Sequence, residues 1–294
     1  MNSTPHQPTT PACILTIDVE DWFHLLEHRN IPERHRWDAL PSRVERNFGR
    51  LLDLLDRHQA QSTCFFLGWV AQRFPHLVKE AAKRGHDIAS HGMDHKRPVE
   101  MTRTELHLDL RTSKAMLEDI SGQKVEGYRA AGFALPSDTR HFFESLAENG
   151  YRYDSSVFPA HHRHGGQPGA ELGPQTIHTP SGSVAEFPIS VLPLWGGRLC
   201  LFGGGYFRVA PFALVRLGAR SVLDSGRPLV LYLHPREIDP GQPRLPLGFF
   251  RGLRAYVNLH RTEPKLNQLL HEFSFRGLES QLNGSARPLP TATA

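Results

Sequence analysis

The chain has 294 residues, a formal net charge of +4 and 39% hydrophobic residues. That length and apolar content fit a folded α/β protein, either one large domain or two small ones. No Lys or Arg block with interleaved aromatics marks a nucleic-acid surface, and no apolar stretch approaches the ~20 residues of a membrane helix.

Residues 1–11 are polar and proline-rich without the apolar core of a signal peptide, and read as a disordered tail. Cys13, Cys64 and Cys200 form no C-x-x-C pair and read as reduced thiols, so the expected location is cytoplasmic, at or near the inner face of the membrane. Residues 14–17 read as a buried strand with Asp18, Glu20 and Asp21 at its carboxyl end, where α/β folds place their chemistry. Residues 24–41 look irregular. Val44, Phe48, Leu51, Leu52, Leu54 and Leu55 then recur at helical spacing.

Residues 62–67 form a second strand, 70–84 a helix stopped by Gly85, and 87–90 a strand that delivers His91 into a loop or helix start. A helix over 104–120, a strand ending at Arg129, a helix over 137–149 and a strand over 151–154 follow. Residues 159–182 read as a long surface loop that includes His161, His162, Arg163 and His164, a solvated run rather than a second metal site. Residues 185–189 and 229–234 are late strands. Leu266, Leu269, Leu270 and Phe273, after a capping Thr262, form a packing helix. This βα alternation predicts a parallel barrel or open sheet. One domain is expected over 12–275, extended from about 240, with a disordered tail over 276–294.

His91 and His95 lie four residues apart, so one helical turn would aim both imidazoles at one point. A carboxylate from a strand end would complete three ligands and leave a divalent ion one position for water, which is the arrangement of a hydrolase. Arg129, Asp154 and His234 also sit at strand ends. Each residue alone has a bland explanation as a cap or packing residue; their joint placement points to one shared site.

The order acid cluster, S-H-x-x-x-H, Y-R, Y-D-S-S and L-x-x-H resembles the polysaccharide deacetylase family, also called NodB-homology domains or carbohydrate esterase family four. The resemblance spans roughly residues 13–275 and takes in residues 63–70 and 85–91. The first motif Asp18-Val19-Glu20-Asp21-Trp22, residues 203–208 and residues 256–261 look closest to the branch encoded with bacterial exopolysaccharide and exosortase (PEP-CTERM) loci. The resemblance implies a distorted (β/α) barrel with fewer than eight complete strands and a bound divalent metal, Zn2+ or else Co2+ or Mn2+.

By the same analogy His91 and His95 are metal ligands, and Asp18 is the base that takes a proton from the attacking water. Either Glu20 or Asp21 supplies the carboxylate ligand, the other ordering the loop; Glu20 shares a side with Asp18 if the strand continues, whereas Asp21 needs a turn. His234 resembles the general acid, Asp154 the group that orients it, and Arg129 the residue that holds Asp18. Backbone N–H groups near 130–132 would meet the oxyanion. Trp22, Phe133 and Trp195 would wall the sugar. Residues 203–205 carry no phosphate-loop signature and read as a turn at the rim.

Two departures stand out: no proline follows Arg129 by two residues, and Asp154-Ser155-Ser156-Val157 lacks the family's tryptophan. The implied function is removal of N-acetyl groups from amino sugars of a bacterial exopolysaccharide or its lipid-linked precursor. The partners would be an N-acetylated carbohydrate and membrane biosynthetic machinery, without nucleic acid. A cyclic-amide (allantoinase-like) hydrolase and a carbohydrate-binding protein without turnover are the alternatives.

Overall fold

The structure, a computed structural model, describes residues 11–26, 30–162, 165–284 and 291–292. Residues 1–10, 285–290 and 293–294 of the expected tails, and Arg163 and His164 of the histidine-rich loop, lie outside the described residues.

β1 (Cys13–Val19) is buried along its whole length, as a central parallel strand covered on both faces must be. It leads through a short 3-10 helix (Arg34–Ala39) to α1 (Val44–Arg57), whose Val44, Phe48, Leu51, Leu52 and Leu55 are buried. β2 (Thr63–Phe66), α2 (Gly68–Arg73), α3 (Pro75–Lys83) and β3 (Asp87–Ser90) follow. The single helix expected over 70–84 is split because Pro75 disfavours helical backbone at Phe74 and opens a new helix as its first residue.

α4 (Arg103–Ser121) is capped by Thr102, which exchanges bonds with Glu105, and ends on Gly122. Next come β4 (Gly127–Tyr128), α5 (Thr139–Glu148) and β5 (Tyr153–Asp154). The loop expected over 159–182 contains β6 (Gln175–Thr179), antiparallel to β7 (Gly182–Glu186). The hairpin β8 (Val191–Leu194) and β9 (Gly197–Cys200) precedes α6 (Gly204–Val209), α7 (Phe212–Asp224) and β10 (Leu229–Leu233).

α8 (Phe249–Tyr256), α9 (Leu259–Glu272), β11 (Phe275–Arg276), α10 (Glu279–Gly284) and β12 (Thr291–Ala292) complete the chain. Thr262 lies buried inside α9, and Asn258 takes the cap position that the sequence suggested for Thr262. The first part of the expected C-terminal tail packs on the barrel: β11 pairs with β1 and Leu278 is fully buried.

Among the described residues seven strands run parallel in the order β10-β1-β2-β3-β4-β5-β7. The sheet curls into an incomplete barrel. Ser190 bridges toward closure by donating from its N–H to Val230 O at 3.2 Å and accepting from Val230 N–H at 2.8 Å. Ile14, Phe65, Ala89, Tyr153, Ala185, Val230 and Tyr232 pack together in one cluster, while their strand neighbours Leu15, Ile17, Cys64, Phe66, Ile88 and Leu231 join the larger cluster under the helices. This period-two division decides which strand-end side chains enter the barrel mouth.

Candidate active site

The parallel register sets the strand ends flush. Val19 pairs with Phe66, Phe66 with Ser90, Ser90 with Tyr128, and Ile17 with Leu233. Residues 18, 20, 91, 129 and 234 therefore emerge at one rim. Parity continues past the strands: Ile14, Thr16, Asp18 and Glu20 share a face, as do Ala89 with His91 and Tyr232 with His234.

Glu20, His91 and His95 are all buried and offer donor atoms within 4.8 Å of one another, a possible site for a metal ion. His91 Nδ1 donates to Arg129 O at 2.8 Å, which leaves Nε2 with its lone pair free to coordinate. Glu20 Oε2 lies 2.9 Å from His95 Nε2 yet makes no directed hydrogen bond, the relation two ligands of one ion would have. Two imidazoles and one carboxylate are a donor set that suits Zn2+.

The expected helical turn between the histidines is absent. Residues 91–95 form a loop in which Gly92 (φ +72°) and His95 (φ +55°) adopt left-handed backbone. Asp109 from α4 fixes that loop by accepting Met93 N–H at 2.9 Å, and a Cβ at Gly92 would stand 2.8 Å from Asp109 Oδ2. The ring centroids of His91 and His95 end 5.3 Å apart.

Asp21 faces the opposite way and is no part of this cluster. It accepts from Trp22 N–H at 2.8 Å, from Ser42 Oγ, and from the N–H groups of Arg43 and Val44 at 3.0 and 3.3 Å, thereby capping α1. Odd parity on β1 sends it to the helix layer, which corrects its expectation as a ligand. Burial pushes its carboxyl up against the pull of those bonds.

Asp18 is held by Arg129, whose Nη1 lies 2.7 Å from Asp18 Oδ1 and donates to Thr16 Oγ1 at 2.8 Å. Arg129 is fully buried; its remaining donors reach Ser155 O and Ser155 Oγ, both at 2.8 Å, and its guanidinium lies over Phe65. Every branch of the fork is used, so Asp18 has one orientation. His234 Nε2 lies 3.8 Å from Asp18 Oδ2 and 3.1 Å from Glu20 Oε1.

The expected partner of His234 was Asp154, and the structure replaces it. Tyr153 joins the inner cluster, so Asp154 points to the other face, where it accepts from Ser156 N–H and Oγ. Glu186 lies beside it, its carboxyl pushed well up by burial and the Asp154 charge. His234 faces Glu237 instead: Nδ1 lies 3.4 Å from Glu237 Oε2, and the other Glu237 oxygen pairs with buried Arg208. Glu237 was legible only as the residue one turn after a strand-end histidine in His234-Pro235-Arg236-Glu237.

The charges reinforce one another. Burial alone would raise Glu20, but the charges of His95 and His234 hold its carboxyl well below the usual range. Burial holds His91 down to about 4, so it is neutral and able to ligate at pH 7. Burial also works against protonated His234, but Glu20 and Glu237 overcome it and raise the imidazole. Glu237 is itself held down to about 2, because the charges of Arg208 and His234 outweigh its burial.

A cavity of about 840 Å³ opens above these groups and is lined by Asp18, Glu20, His91, His95, Phe133 and His234 among others. Phe133 lines the cavity and meets Tyr232 edge-on with centroids 4.9 Å apart. Trp22 is buried beneath, donating to Pro41 O, and Trp195 is fully exposed at the β8–β9 tip; neither lines the cavity. His24, missed in the sequence, does line it. Its Nδ1 accepts from Asp21 N–H at 3.0 Å, so Nε2 carries the proton, buried and without a partner among the described residues. Gly203 lets the chain cross Tyr232 closely, since a Cβ there would lie 2.1 Å from Tyr232 Cδ1.

Residues 36–153 match the family model described as Polysaccharide deacetylase, and residues 155–283 match one described as a Domain of unknown function (DUF3473). A peptidoglycan deacetylase of Helicobacter pylori is 29% identical over 108 residues, 37% of this chain and 36% of that protein. A peptidoglycan-N-acetylglucosamine deacetylase of Bacillus cereus is 36% identical over 69 residues, 24% of this chain and 32% of that one. The chain thus spans about a third of the length of these curated relatives.

Among solved structures, a candidate polysaccharide deacetylase from Mycobacterium smegmatis aligns with a TM-score of 0.65 at 22% identity, over 100% of this chain and 97% of that one. The allantoinase PuuE aligns at 0.60 with 15% identity, over 94% and 90%. These structural likenesses show the shared fold. The matching family model and these two relatives are each described as a deacetylase, over residues 36–153 and over stretches of 108 and 69 residues.

Proposed function

We propose that the chain is a metal-dependent deacetylase that hydrolyses N-acetyl groups on amino sugars of a bacterial exopolysaccharide or its lipid-linked precursor. The observation that carries this reading is the convergence of Glu20, His91 and His95 beside Asp18 and His234 at one barrel mouth. Glu20, His91 and His95 would hold the ion, most simply Zn2+. When bound, such an ion polarises a carbonyl and makes water acidic enough to act as a nucleophile near neutral pH.

The remaining steps belong to the chain itself. Asp18, locked by Arg129, takes the proton of the attacking water. The oxyanion that develops on the acetyl carbonyl oxygen meets backbone N–H groups of Ala131 or Gly132, because that of Ala130 is engaged by Ser156 Oγ. His234, whose imidazole Glu20 and Glu237 raise against its burial, gives its proton to the departing amine. Phe133 supplies an apolar wall for the acetyl methyl group, and Asp154 supports the Ser155–Ser156 segment that grips Arg129.

A cavity of about 840 Å³ is roomier than a small cyclic amide requires, which favours a sugar chain over an allantoinase-type substrate. We assign the chain to the exopolysaccharide branch of the family on residues 203–208 and 256–261, several of which line this cavity. No described helix is long and apolar enough to cross a membrane.

Acetate release from N-acetylglucosamine oligomers by the zinc-loaded protein tests the reading. Asp18→Asn should lower turnover by ~10²–10⁴ while zinc stays bound. Ring opening of a cyclic ureide without acetate release would overturn the proposal, and so would sugar binding with no turnover.

A further inference from the structure

Eleven large hydrophobic side chains are exposed among the described residues, and nine of them belong to one region: Leu194, Trp195, Tyr206, Val209, Leu214, Leu217, Phe249, Phe250 and Leu253. Their positions are contiguous. Tyr206, Val209, Leu214, Phe250 and Leu253 line the active-site cavity, and Leu253 is shared with a smaller adjoining hollow that Phe249 lines. Leu217 follows Leu214 by one turn of α7. The β8–β9 hairpin packs on the same helix, since a Cβ at Gly218 would touch Leu192 and Leu201.

α8 has no buried residue at all, and Phe249 and Phe250 are 78% and 84% exposed. A folded protein rarely leaves so many large apolar side chains together in water unless something covers them.

The charge of this region identifies the occupant. Residues 191–261 contain ten arginines and three acids, Asp224, Glu237 and Asp239. Glu237 and Asp239 are buried and spent internally, on Arg208 and on Arg43 and Arg46. Arg216 and Arg220 face Glu272 of α9 at 3.6 and 3.5 Å, which offsets part of the excess, but α8 itself carries Arg251 and Arg254 and no acid. A second copy of the chain would bring the same positive charge against this face and be repelled. Apolar tips interleaved with arginines fit a surface that is anionic above and hydrocarbon below.

We infer that α6, α7, α8 and the β8–β9 tip seat the protein on an anionic phospholipid bilayer, with the cavity mouth at the lipid surface. Trp195, unused by the active site, acts there as an interfacial anchor. The inference deepens the proposed encounter with a lipid-linked saccharide and rests on that reading only for what the membrane presents; the docking itself requires no turnover.

The test is co-sedimentation of the full chain with phosphatidylcholine vesicles, with and without about one third phosphatidylglycerol. Binding at least about tenfold stronger to the anionic vesicles is expected, falling as salt rises. Arg254→Glu, or Trp195→Ser combined with Phe249→Ser, should weaken it about tenfold or more. The double variant should release acetate from soluble oligomers as the wild type does.

Tryptophan emission gives a readout that needs no variant. Trp22, Trp37 and Trp69 are buried, so a blue shift on adding anionic vesicles reports Trp195 entering lipid. Failure to sediment, equal binding to neutral and anionic vesicles, or a dimer that Phe249→Ser dissolves would each overturn the inference. Acetate release without vesicle binding would leave the deacetylase reading standing and remove only this one.

Discussion

Exchanging the two neighbouring acids of the first motif, one at a time, separates metal binding from fold stability. Glu20→Gln removes the carboxylate of the Glu20–His91–His95 cluster while keeping volume. Loss of an outer partner of a metal ligand costs 10–100-fold in affinity, so loss of a charged ligand should cost at least about 100-fold, or about 2.7 kcal/mol. Asp21→Asn touches none of that. It removes the charge that accepts from Trp22, Ser42, Arg43 and Val44 at the start of α1.

Asparagine keeps one acceptor oxygen but turns an NH2 toward N–H groups that both carboxylate oxygens held, and the lost anion at a helix N-terminus costs up to about 1 kcal/mol, so Asp21→Asn should destabilise the protein by about 1–2 kcal/mol. For a chain of this size that lowers Tm by several degrees, with zinc affinity unchanged. Competition titration against a chromophoric chelator reads the first effect, and calorimetry of the metal-free protein reads the second. Equal loss of zinc affinity in both variants, or loss in Asp21→Asn alone, would refute the assignment of Glu20.

Two further outcomes follow from the same geometry. His86 is buried, accepts Ser62 N–H at 3.1 Å and is held down to about 4 by burial. Between pH 6.5 and 4 the unfolded chain therefore binds a proton that the folded chain refuses, and stability falls as pH drops through that window; His86→Gln should remove about 3 kcal/mol of that fall in pH-dependent denaturant melts, and an unchanged profile would contradict the burial argument. Gly203→Ala forces a methyl against Tyr232 and should cost about 1–3 kcal/mol, whereas Gly49→Ala in α1, with nothing within 4 Å, should stabilise by about 0.5–1 kcal/mol; chemical denaturation compares the two.

Much of this site was legible from the chain alone because parallel strands align their carboxyl ends, so polar residues that follow apolar runs must meet. Asp18, His91, His95, Arg129 and His234 were all found that way. Parity separates the two acids that spacing had left together, turning Glu20 to the face of Asp18 and Asp21 to the start of α1. The same parity removed Asp154 from the site, because the strand that ends there turns Tyr153 inward.

Glu237 escaped notice since its approach to His234 depends on a one-turn 3-10 helix (Pro235–Ile238) rather than on a strand end. The histidine pair converges through left-handed backbone at Gly92 and His95, which no helical periodicity encodes. Trp195 read as a sugar wall because aromatics near a site invite that role; only the hairpin places it outside.

Zinc-edge anomalous diffraction from crystals soaked in Zn2+ tests the central claim most directly. The account predicts one peak within bonding distance of a Glu20 carboxylate oxygen and of both the His91 and His95 rings, with Asp21 still capping α1. A peak on Asp21, or none where these three side chains meet, would contradict it.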